Sequence, residues 1–339
     1  MPELNLTTAY YTSAAPSLLW EMTICQSLGD GRGTYAQTLE QPAPYGRLLG
    51  EYLKQEAGVD PECGPVIEIG GGYGTLMCGL LEVCHPERVT MLDLSPLLLA
   101  RQQEALAEAE LKKKPEITFF REDLFTWLAR ERPTADLLIL NEMIGDLPTI
   151  TRIHRQELAE SAAAPTALGK KPPHPNDLTP DTLKSEAARL ISTYELDIRD
   201  LPEGFNLNYG ALRLIELLAD CNIACTFISE HGSDTMLPWP FSLYSAIEPP
   251  GRHINPRPIE LKDHTEYNIR FAHLEQVATH LGFTVKRLHL LEMLGLRFDD
   301  EIEYLLRRAR PENEAQEIYL EFYEHLAEYQ ALLLLREKN

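Results

Sequence analysis

Short apolar runs and amphipathic stretches alternate along the middle of the chain, in an order that predicts a layered α/β fold. Runs of Val, Ile and Leu bounded by polar residues predict buried strands, and stretches with apolar residues at helical spacing predict the helices between them. Strands are predicted at residues 65–69, 88–92, 117–120 and 136–141, and helices at 74–84, 96–109 and 124–130. Because strands that are apolar on both faces need helices on both sides, we expect a doubly wound parallel sheet.

This alternation stops after residue 150 and resumes near residue 206. Residues 151–205 begin with Ala, Pro and Lys and continue into a helical stretch, which predicts a helical insertion or lid. Further helices are predicted at 209–220 and 272–281, and further strands at 223–229, 241–247, 267–271 and 283–290. Residues 311–335 show apolar positions at helical spacing, which predicts a helix that docks on the core or forms a dimer contact.

Four parts follow from this pattern. They are an N-terminal cap at 1–60, a core formed by 61–150 and 206–300, an insertion at 151–205, and a C-terminal helical extension at 301–339.

Charge and composition narrow the range of partners. The chain has 339 residues and a net charge of −21, which argues against nucleic acid as the main partner because phosphate binding needs clustered Lys and Arg. An acidic surface favours partners with basic residues, although it also simply keeps many proteins soluble. No apolar run is long enough to cross a membrane and no signal peptide is evident, so we expect a cytoplasmic protein.

The six cysteines lack the paired spacing of a metal site. They lie at positions 25, 63, 78, 84, 221 and 225. We therefore expect buried free thiols and no metal.

A glycine-rich loop follows the first predicted strand of the core. Gly70, Gly72 and Gly74 alternate along it, and Glu68 precedes them by two residues. A dinucleotide site uses G-x-G-x-x-G and faces an anionic pyrophosphate, which a carboxylate at this place would repel. S-adenosylmethionine (SAM) has no phosphate and carries a cationic amino group and a sulfonium, so this loop predicts a SAM site rather than a dinucleotide site.

Acidic residues also follow the next two predicted strands. Asp93 ends the strand at 88–92, where a carboxylate can accept hydrogen bonds from two ribose hydroxyls. Asp123 follows the strand at 117–120 and is predicted to bind the adenine amine, with Leu124 against the ring. The alternative for Asp123 is the N-cap of the following helix, and the two functions are compatible.

Polar residues follow the strand at 136–141 and face the same crevice. Asn141 and Glu142 come directly after four apolar residues, with Asp146 close behind, and we expect them beside the methyl group of the cofactor. A carboxylate pair suits a guanidinium, which is planar, always charged and binds two oxygens in a fork. The alternative is that Glu142 and Asp146 are ordinary acids in the first turn of a helix.

Together these segments resemble the MidA-like family of SAM-dependent methyltransferases, which includes a protein arginine methyltransferase. The likeness covers about residues 30–295. Residues 141–148 are similar to the family's Asn-Glu-x-x-Asp-x-x-Pro stretch, residues 227–232 stand at the place of its Asp-Tyr-Gly, and residues 263–267 are similar to its Asp-x-Thr segment. The chain departs from the family at Gly145 and at Glu230, both on the acceptor side.

The resemblance implies a class I, Rossmann-like SAM-methyltransferase that acts on a protein arginine. Glu142 would orient the guanidinium, with Asp146 or Glu230 as the second carboxylate. A diverged member could instead methylate a small molecule or another residue, or bind SAM as a non-catalytic scaffold. The C-terminal amphipathic stretch is the predicted contact of a homodimer. His231, His253 and His264 lie in predicted loops, and we assign them no role.

Overall fold

The computed structural model describes residues 2–13, 22–156, 158, 173–244 and 254–336, and His253 lies outside them. The strands are β1 (Glu3–Asn5), β2 (Val66–Ile69), β3 (Arg88–Asp93), β4 (Glu116–Arg121), β5 (Thr134–Asn141), β6 (Thr149–Ile153), β7 (Phe205–Leu207), β8 (Asn222–His231), β9 (Pro258–Glu260), β10 (Thr265–Tyr267), β11 (Thr284–His289) and β12 (Tyr329–Leu335). The helices are α1 (Thr8–Tyr11), α2 (Ile24–Ser27), α3 (Tyr45–Glu56), α4 (Thr75–Leu80), α5 (Pro96–Glu108), α6 (Leu124–Glu131), α7 (Pro180–Thr193), α8 (Tyr209–Ala219), α9 (Phe271–His280), α10 (Leu290–Leu294), α11 (Asp300–Arg308) and α12 (Glu314–Leu326).

Seven strands form the main sheet, in the order β11-β12-β8-β5-β2-β3-β4. The pairs among β8, β5, β2, β3 and β4 are parallel, and β12 runs antiparallel to both of its neighbours. From β2 the chain moves outward through β3 to β4, and it then returns to the other side of β2 to form β5 and β8. This reversal leaves a crevice at the carboxyl ends of β2 and β5, where open α/β sheets bind ligands.

Helices cover both faces of this sheet, as the alternation of strands and helices predicted. One apolar cluster includes residues of α3, α4, α10 and α12, and the other includes residues of α6, α8 and α9. Neighbouring residues of one strand contribute to opposite clusters: Val66 belongs to the first, and Ile67 to the second. The doubly wound fold is therefore confirmed, and the strands predicted at 65–69, 88–92, 117–120, 136–141 and 223–229 correspond to β2, β3, β4, β5 and β8.

The predicted C-terminal helical extension is wrong in its second half. The helical spacing correctly marks α12, but Tyr329–Leu335 enters the main sheet as β12 between β8 and β11. Ala331 and Leu333 pack in one apolar cluster, and Leu332 and Leu334 pack in the other. A strand buried on both faces reads as a continuous apolar run without alternation, which is why periodicity did not distinguish it from the end of a helix. The core thus extends to residue 335.

Two further strand predictions need correction. Residues 241–243 form a 3-10 turn rather than a strand, and residues 245–247 lie outside the described part of the chain. Phe241 and Tyr244 are both buried, and a spacing of three is satisfied by a helical turn. The strand predicted at 267–271 lies earlier, at Thr265–Tyr267, and Phe271 begins α9.

The N-terminal segment, the predicted insertion and a hairpin form a second layer beside the crevice. β1, β6 and β7 make a three-stranded sheet, and β9 and β10 form an antiparallel pair. Thr7 Oγ1 donates a hydrogen bond to the carbonyl of Asp146, at 2.8 Å, which fixes the N-terminal segment to the loop after β5. Most of residues 157–172, within the predicted insertion, lie outside the described residues.

All six cysteines are free, and four of them are buried as predicted, whereas Cys25 and Cys78 are half-buried. None of the helices in the described ranges is long and apolar enough to cross a membrane. The predicted cytoplasmic location and homodimer stay predictions.

Candidate cofactor and acceptor site

A deep cleft opens at the carboxyl ends of β2, β3, β4 and β5. Its acidic lining residues are Glu68, Asp93, Glu122, Asp123, Glu142, Asp146 and Glu266. The described residues that line the cleft include no Lys, Arg or His. Three of the acids nevertheless pair with basic side chains that lie outside this lining: Glu122 with Arg130, Asp123 with His174, and Asp146 with His264. The lining therefore favours cationic ligands.

The glycine loop after β2 forms one wall of this cleft. Gly70, Gly72 and Gly74 have φ angles of +72°, +51° and +83°, a left-handed conformation that glycine adopts without strain. A Cβ atom at Gly71 would lie 2.9 Å from the Met91 side chain and 3.1 Å from Glu68 Cδ. The loop thus needs glycine both for its turns and for its close approach to Glu68.

The buried carboxylate of Glu68 receives too few hydrogen bonds from the protein. It is 2% exposed, and its Oε2 accepts no hydrogen bond from the described residues. Burial, and secondarily the nearby Asp93, raise the pKa of Glu68 to about 8. An unsatisfied buried carboxylate is costly unless a ligand cation reaches it. The amino group of SAM has the charge and the donors that this oxygen lacks, so the residues present fit that cofactor.

Asp93 lies at the end of β3, in the adjoining part of the cleft. Its Oδ1 accepts from the Ser95 backbone N–H at 2.8 Å, and its Oδ2 accepts from Gln102 Nε2 at 2.9 Å. Burial raises the pKa of Asp93 to about 6 against the lowering effect of these donors. Each carboxylate oxygen has two acceptor positions, so the fixed side chain keeps capacity for ribose hydroxyls.

Asp123 is the N-cap of α6, one of the two alternatives considered from sequence, and its predicted contact with adenine stays a prediction. Its Oδ1 accepts from the Thr126 N–H at 3.0 Å, which makes it the N-cap of α6, and it also lines the cleft beside Leu124. His174 Nε2 lies 2.8 Å from the same oxygen. Burial raises the pKa of Asp123, but the hydrogen bonds from His174 and from the Thr126 N–H outweigh it and lower the pKa.

Asn141 lines the cleft, but its amide is held by protein groups. Its Oδ1 accepts from Tyr45 OH at 2.7 Å and from Ser229 Oγ at 2.5 Å. Its Nδ2 donates to Glu142 Oε2 at 3.0 Å. The side chain of Asn141 thus connects β5 with α3 and β8, and its predicted contact with the cofactor stays a prediction.

Glu142 is also occupied by donors from this chain. Its Oε1 accepts from the Ile24 N–H at 2.9 Å and from Tyr329 OH at 2.7 Å. Its backbone has a φ of +49°, a left-handed conformation that is uncommon outside glycine. Burial raises the pKa of Glu142, although these donors act in the opposite direction. The hydrogen bonds of Glu142 Oε1 therefore fix the start of α2 and the start of β12, and they compete with the guanidinium contact predicted for this residue.

The other two predicted carboxylates lie in different environments. Asp146 lines the cleft, and Tyr11 OH donates to its Oδ2 at 2.6 Å. Glu230 is 3% exposed and is not among the lining residues. Its Oε2 accepts a hydrogen bond from the Gly145 N–H at 3.0 Å, which stabilises the loop after β5. Burial raises the pKa of Glu230 to about 8. The geometry therefore does not support the acceptor contact predicted for Glu230.

Several lining residues had no predicted role. They are Thr7, Thr8 and Tyr11 near α1, Thr23, Cys25 and Gln26 around α2, Asn176 within the predicted insertion, and Glu266 in β10. For Glu266 a signal was present, because residues 263–267 are similar to a family segment. The N-terminal residues carry no motif, and only long-range contacts such as that between Ile24 and Glu142 bring them to the cleft.

Comparison with known proteins agrees with this geometry. Residues 48–220, just over half of the chain, match the sequence profile of a family described as "Putative S-adenosyl-L-methionine-dependent methyltransferase". A comparison with the curated proteins found no match.

One solved structure shares the fold at low sequence identity, and a second is similar at a lower TM-score. An uncharacterized protein from Burkholderia thailandensis is 16% identical, with a TM-score of 0.51 over 98% of this chain and 87% of that one. A protein of the same superfamily and organism, bound to S-adenosyl-homocysteine, is 14% identical, with a TM-score of 0.46 over 93% of this chain and 78% of that one.

Proposed function

We propose that this chain, which belongs to the family of S-adenosyl-L-methionine-dependent methyltransferases, transfers the methyl group of SAM to an arginine side chain of a protein. The observation that carries the proposal is the lining of the cleft, whose described residues include seven acids and no Lys, Arg or His. This lining suits a cationic cofactor and a second cationic group beside it. A guanidinium is always charged and binds carboxylates in a fork.

SAM supplies an electrophilic methyl group when it is bound. Glu68 would hold its amino group, Asp93 its ribose, and Asp123 with Leu124 its adenine. These assignments rest on the unsatisfied Glu68 oxygen, on the fixed carboxylate of Asp93, and on the position of all four residues in the lining. The glycine loop allows backbone to approach the ligand closely.

The acceptor would be held by Asp146 and Glu266, which both line the cleft, in place of the predicted pair of Glu142 with Asp146 or Glu230. Glu142 also lines the cleft and would add negative charge there, while the Ile24 N–H and Tyr329 OH hold its carboxylate in place. With SAM bound, the acceptor nitrogen would take the methyl group from the sulfonium, whose sulfur would leave as a neutral thioether, and the nitrogen would release its proton to Asp146 or to water. The contribution of the protein is to position the two groups in line and to exclude water.

The direct test uses labelled SAM. The purified protein is incubated with methyl-labelled SAM and with proteins extracted from cells, and the acceptor proteins are then hydrolysed to amino acids. We expect label in methylarginine. Asp93→Ala should abolish the transfer, and Asp60→Ala, which changes an exposed acid outside the cleft, should leave it unchanged.

The distribution of label decides between acceptors. Label in methyllysine, or in the small-molecule fraction alone, would overturn arginine as the acceptor and leave the enzyme class in place. Binding of S-adenosylhomocysteine without any transfer would instead support a scaffold function.

A further inference from the structure

Three side chains that can bind a metal lie together on the acceptor side of the cleft. Asp146, His264 and Glu266 each offer one ligand atom, and these atoms all lie within 4.8 Å of one another. Asp146 comes from the loop after β5, while His264 and Glu266 come from the β9–β10 hairpin. The set is therefore formed by docking of the hairpin on the loop, which the hydrogen bond from the Tyr267 N–H to the Gly145 carbonyl holds at 3.1 Å.

The surroundings of this set orient its ligand atoms. The Tyr10 ring stacks on the His264 ring, with centroids 4.1 Å apart and planes 16° apart. Tyr11 OH donates to Asp146 Oδ2, while Asp146 Oδ1 is buried, accepts no hydrogen bond from the described residues, and lies 3.4 Å from His264 Nε2. One carboxylate oxygen is thus occupied by a neighbouring hydroxyl and the other is directed toward the imidazole. Metal ligands are commonly oriented by such contacts.

We propose that Asp146, His264 and Glu266 bind a divalent transition-metal ion. One imidazole nitrogen with two carboxylate oxygens suits Mn²⁺, Fe²⁺ or Zn²⁺, whereas Mg²⁺ and Ca²⁺ favour oxygen ligands alone. The two carboxylates bring negative charge into a cleft whose described lining has no basic side chain, and the ion supplies the missing positive charge. No metal was expected from the sequence, because the cysteines lack the paired spacing of a metal site. Asp146 and His264 are far apart in the chain and form no ligand-spacing motif that could have indicated this set.

Bound metal has a consequence for the acceptor, and this consequence rests on the proposed function. The same two carboxylates are proposed to hold the guanidinium, so the ion and the arginine would exclude one another. We expect Mn²⁺ to raise the KM for the acceptor protein and to leave the affinity for S-adenosylhomocysteine unchanged.

The binding test needs neither acceptor nor turnover. Protein without a polyhistidine tag is titrated with Mn²⁺, and the bound ion is counted from the loss of the electron paramagnetic resonance signal of free Mn²⁺. Mn²⁺ is the better probe because the cysteines of this chain would compete for softer ions. We expect one bound ion per chain, and at least tenfold weaker binding in His264→Phe, which keeps an aromatic ring against Tyr10, and in Glu266→Gln.

His154→Phe is the matched control, since His154 is half-exposed, pairs with Glu203 and lies outside the cleft. It should bind Mn²⁺ as the unaltered chain does. If His264→Phe fails to fold, as judged by circular dichroism, Glu266→Gln decides alone. Absence of binding to the unaltered chain, or equal binding by all variants, would overturn the site. Because the titration measures no methyl transfer, its outcome is independent of whether arginine is the acceptor.

Discussion

The cofactor half and the acceptor half of the cleft are built in different ways. In the cofactor half, Glu68, the glycine loop and Asp93 lie within one βαβ unit, and Gln102 on its neighbouring helix fixes Asp93. In the acceptor half, Asp146 is met by Tyr11 from the N-terminal segment and by His264 from the β9–β10 hairpin. One half is local in sequence, and the other is assembled from remote segments.

Because the two halves are built differently, substitutions in them should affect different properties of the protein. The cofactor half depends on strand ends and a tight turn that the sheet itself fixes. The acceptor half depends on contacts between segments that are remote in the chain, such as Ile24 with Glu142 and Tyr329 with Glu142. We therefore expect substitutions in the first half to change cofactor affinity, and substitutions in the second to change stability or acceptor binding.

The largest effect is expected for Asp93→Ala. It removes the carboxylate proposed to accept both ribose hydroxyls, and loss of two charge-assisted hydrogen bonds of roughly 1.5 kcal/mol each corresponds to about 100-fold weaker binding. Calorimetry with S-adenosylhomocysteine measures this, with Asp60→Ala as the control that should bind normally. Undiminished binding by Asp93→Ala would remove Asp93 from the site.

Glu68 predicts a pH dependence. Its pKa is raised to about 8, so between about pH 4.5 and pH 8 the folded protein without ligand holds a proton that the unfolded chain has lost, and stability falls as pH rises through this window. Binding of a cationic amino group needs the ionised form. The affinity for S-adenosylhomocysteine should therefore rise by about tenfold per pH unit from about pH 6 toward pH 8, and calorimetry across this range measures it.

Glu68→Gln is the control for this dependence. It should bind weakly with a flatter pH profile, because the amide does not titrate. An identical pH profile in Glu68→Gln would mean that another group controls binding.

Glu142→Gln tests the acceptor half. We expect a loss of about 1–2 kcal/mol in the free energy of unfolding, because the hydrogen bonds from the Ile24 N–H and Tyr329 OH to a charged acceptor become weaker. Urea unfolding measures this, and Glu317→Gln on the exposed face of α12 should change stability by less than about 0.5 kcal/mol. Unchanged stability with a greatly reduced rate of methyl transfer would favour the direct catalytic role predicted from sequence.

Tyr11→Phe should have the smallest effect. It removes the hydroxyl that donates to Asp146 Oδ2 at 2.6 Å and leaves the ring in place. A loss of about 0.5–1 kcal/mol corresponds to a two- to fivefold rise in the KM for the acceptor protein, with the affinity for S-adenosylhomocysteine unchanged. Steady-state kinetics measure both values, and Tyr304→Phe on exposed α11 is the control. A fall in cofactor affinity would show that the two halves are not separate.

The same contrast explains how much the sequence could predict. The parallel strands, their crossover helices and the Glu68–Asp93 unit follow from local patterns of apolar residues and glycine, and the structure has those elements in the predicted order. The functional roles of the site residues stay predictions. The position of Asp123 was also predictable from local sequence, because the N-cap and a place at the crevice were both predicted and both are present.

The rest could not be predicted because it depends on contacts between remote segments. Tyr329 reaches Glu142 only because Tyr329–Leu335 forms a strand of the main sheet, and its apolar run was assigned to a helix. The buried position of Glu230 under the Gly145 backbone depends on the path of the loop after β5. Periodicity reports which residues are buried in an element, and it does not report which remote group faces them.

The position of β12 has a consequence for folding. β8 and β11 are joined in the sheet only through β12, so residues 222–231 and 284–289 cannot complete their hydrogen-bond ladders until residues 329–335 have been synthesised and inserted between them. Until that moment β8 is an apolar edge strand open to pairing with any other chain, and its closure spans about a hundred residues. We therefore expect a newly made chain to depend on chaperones for the interval before this last strand enters.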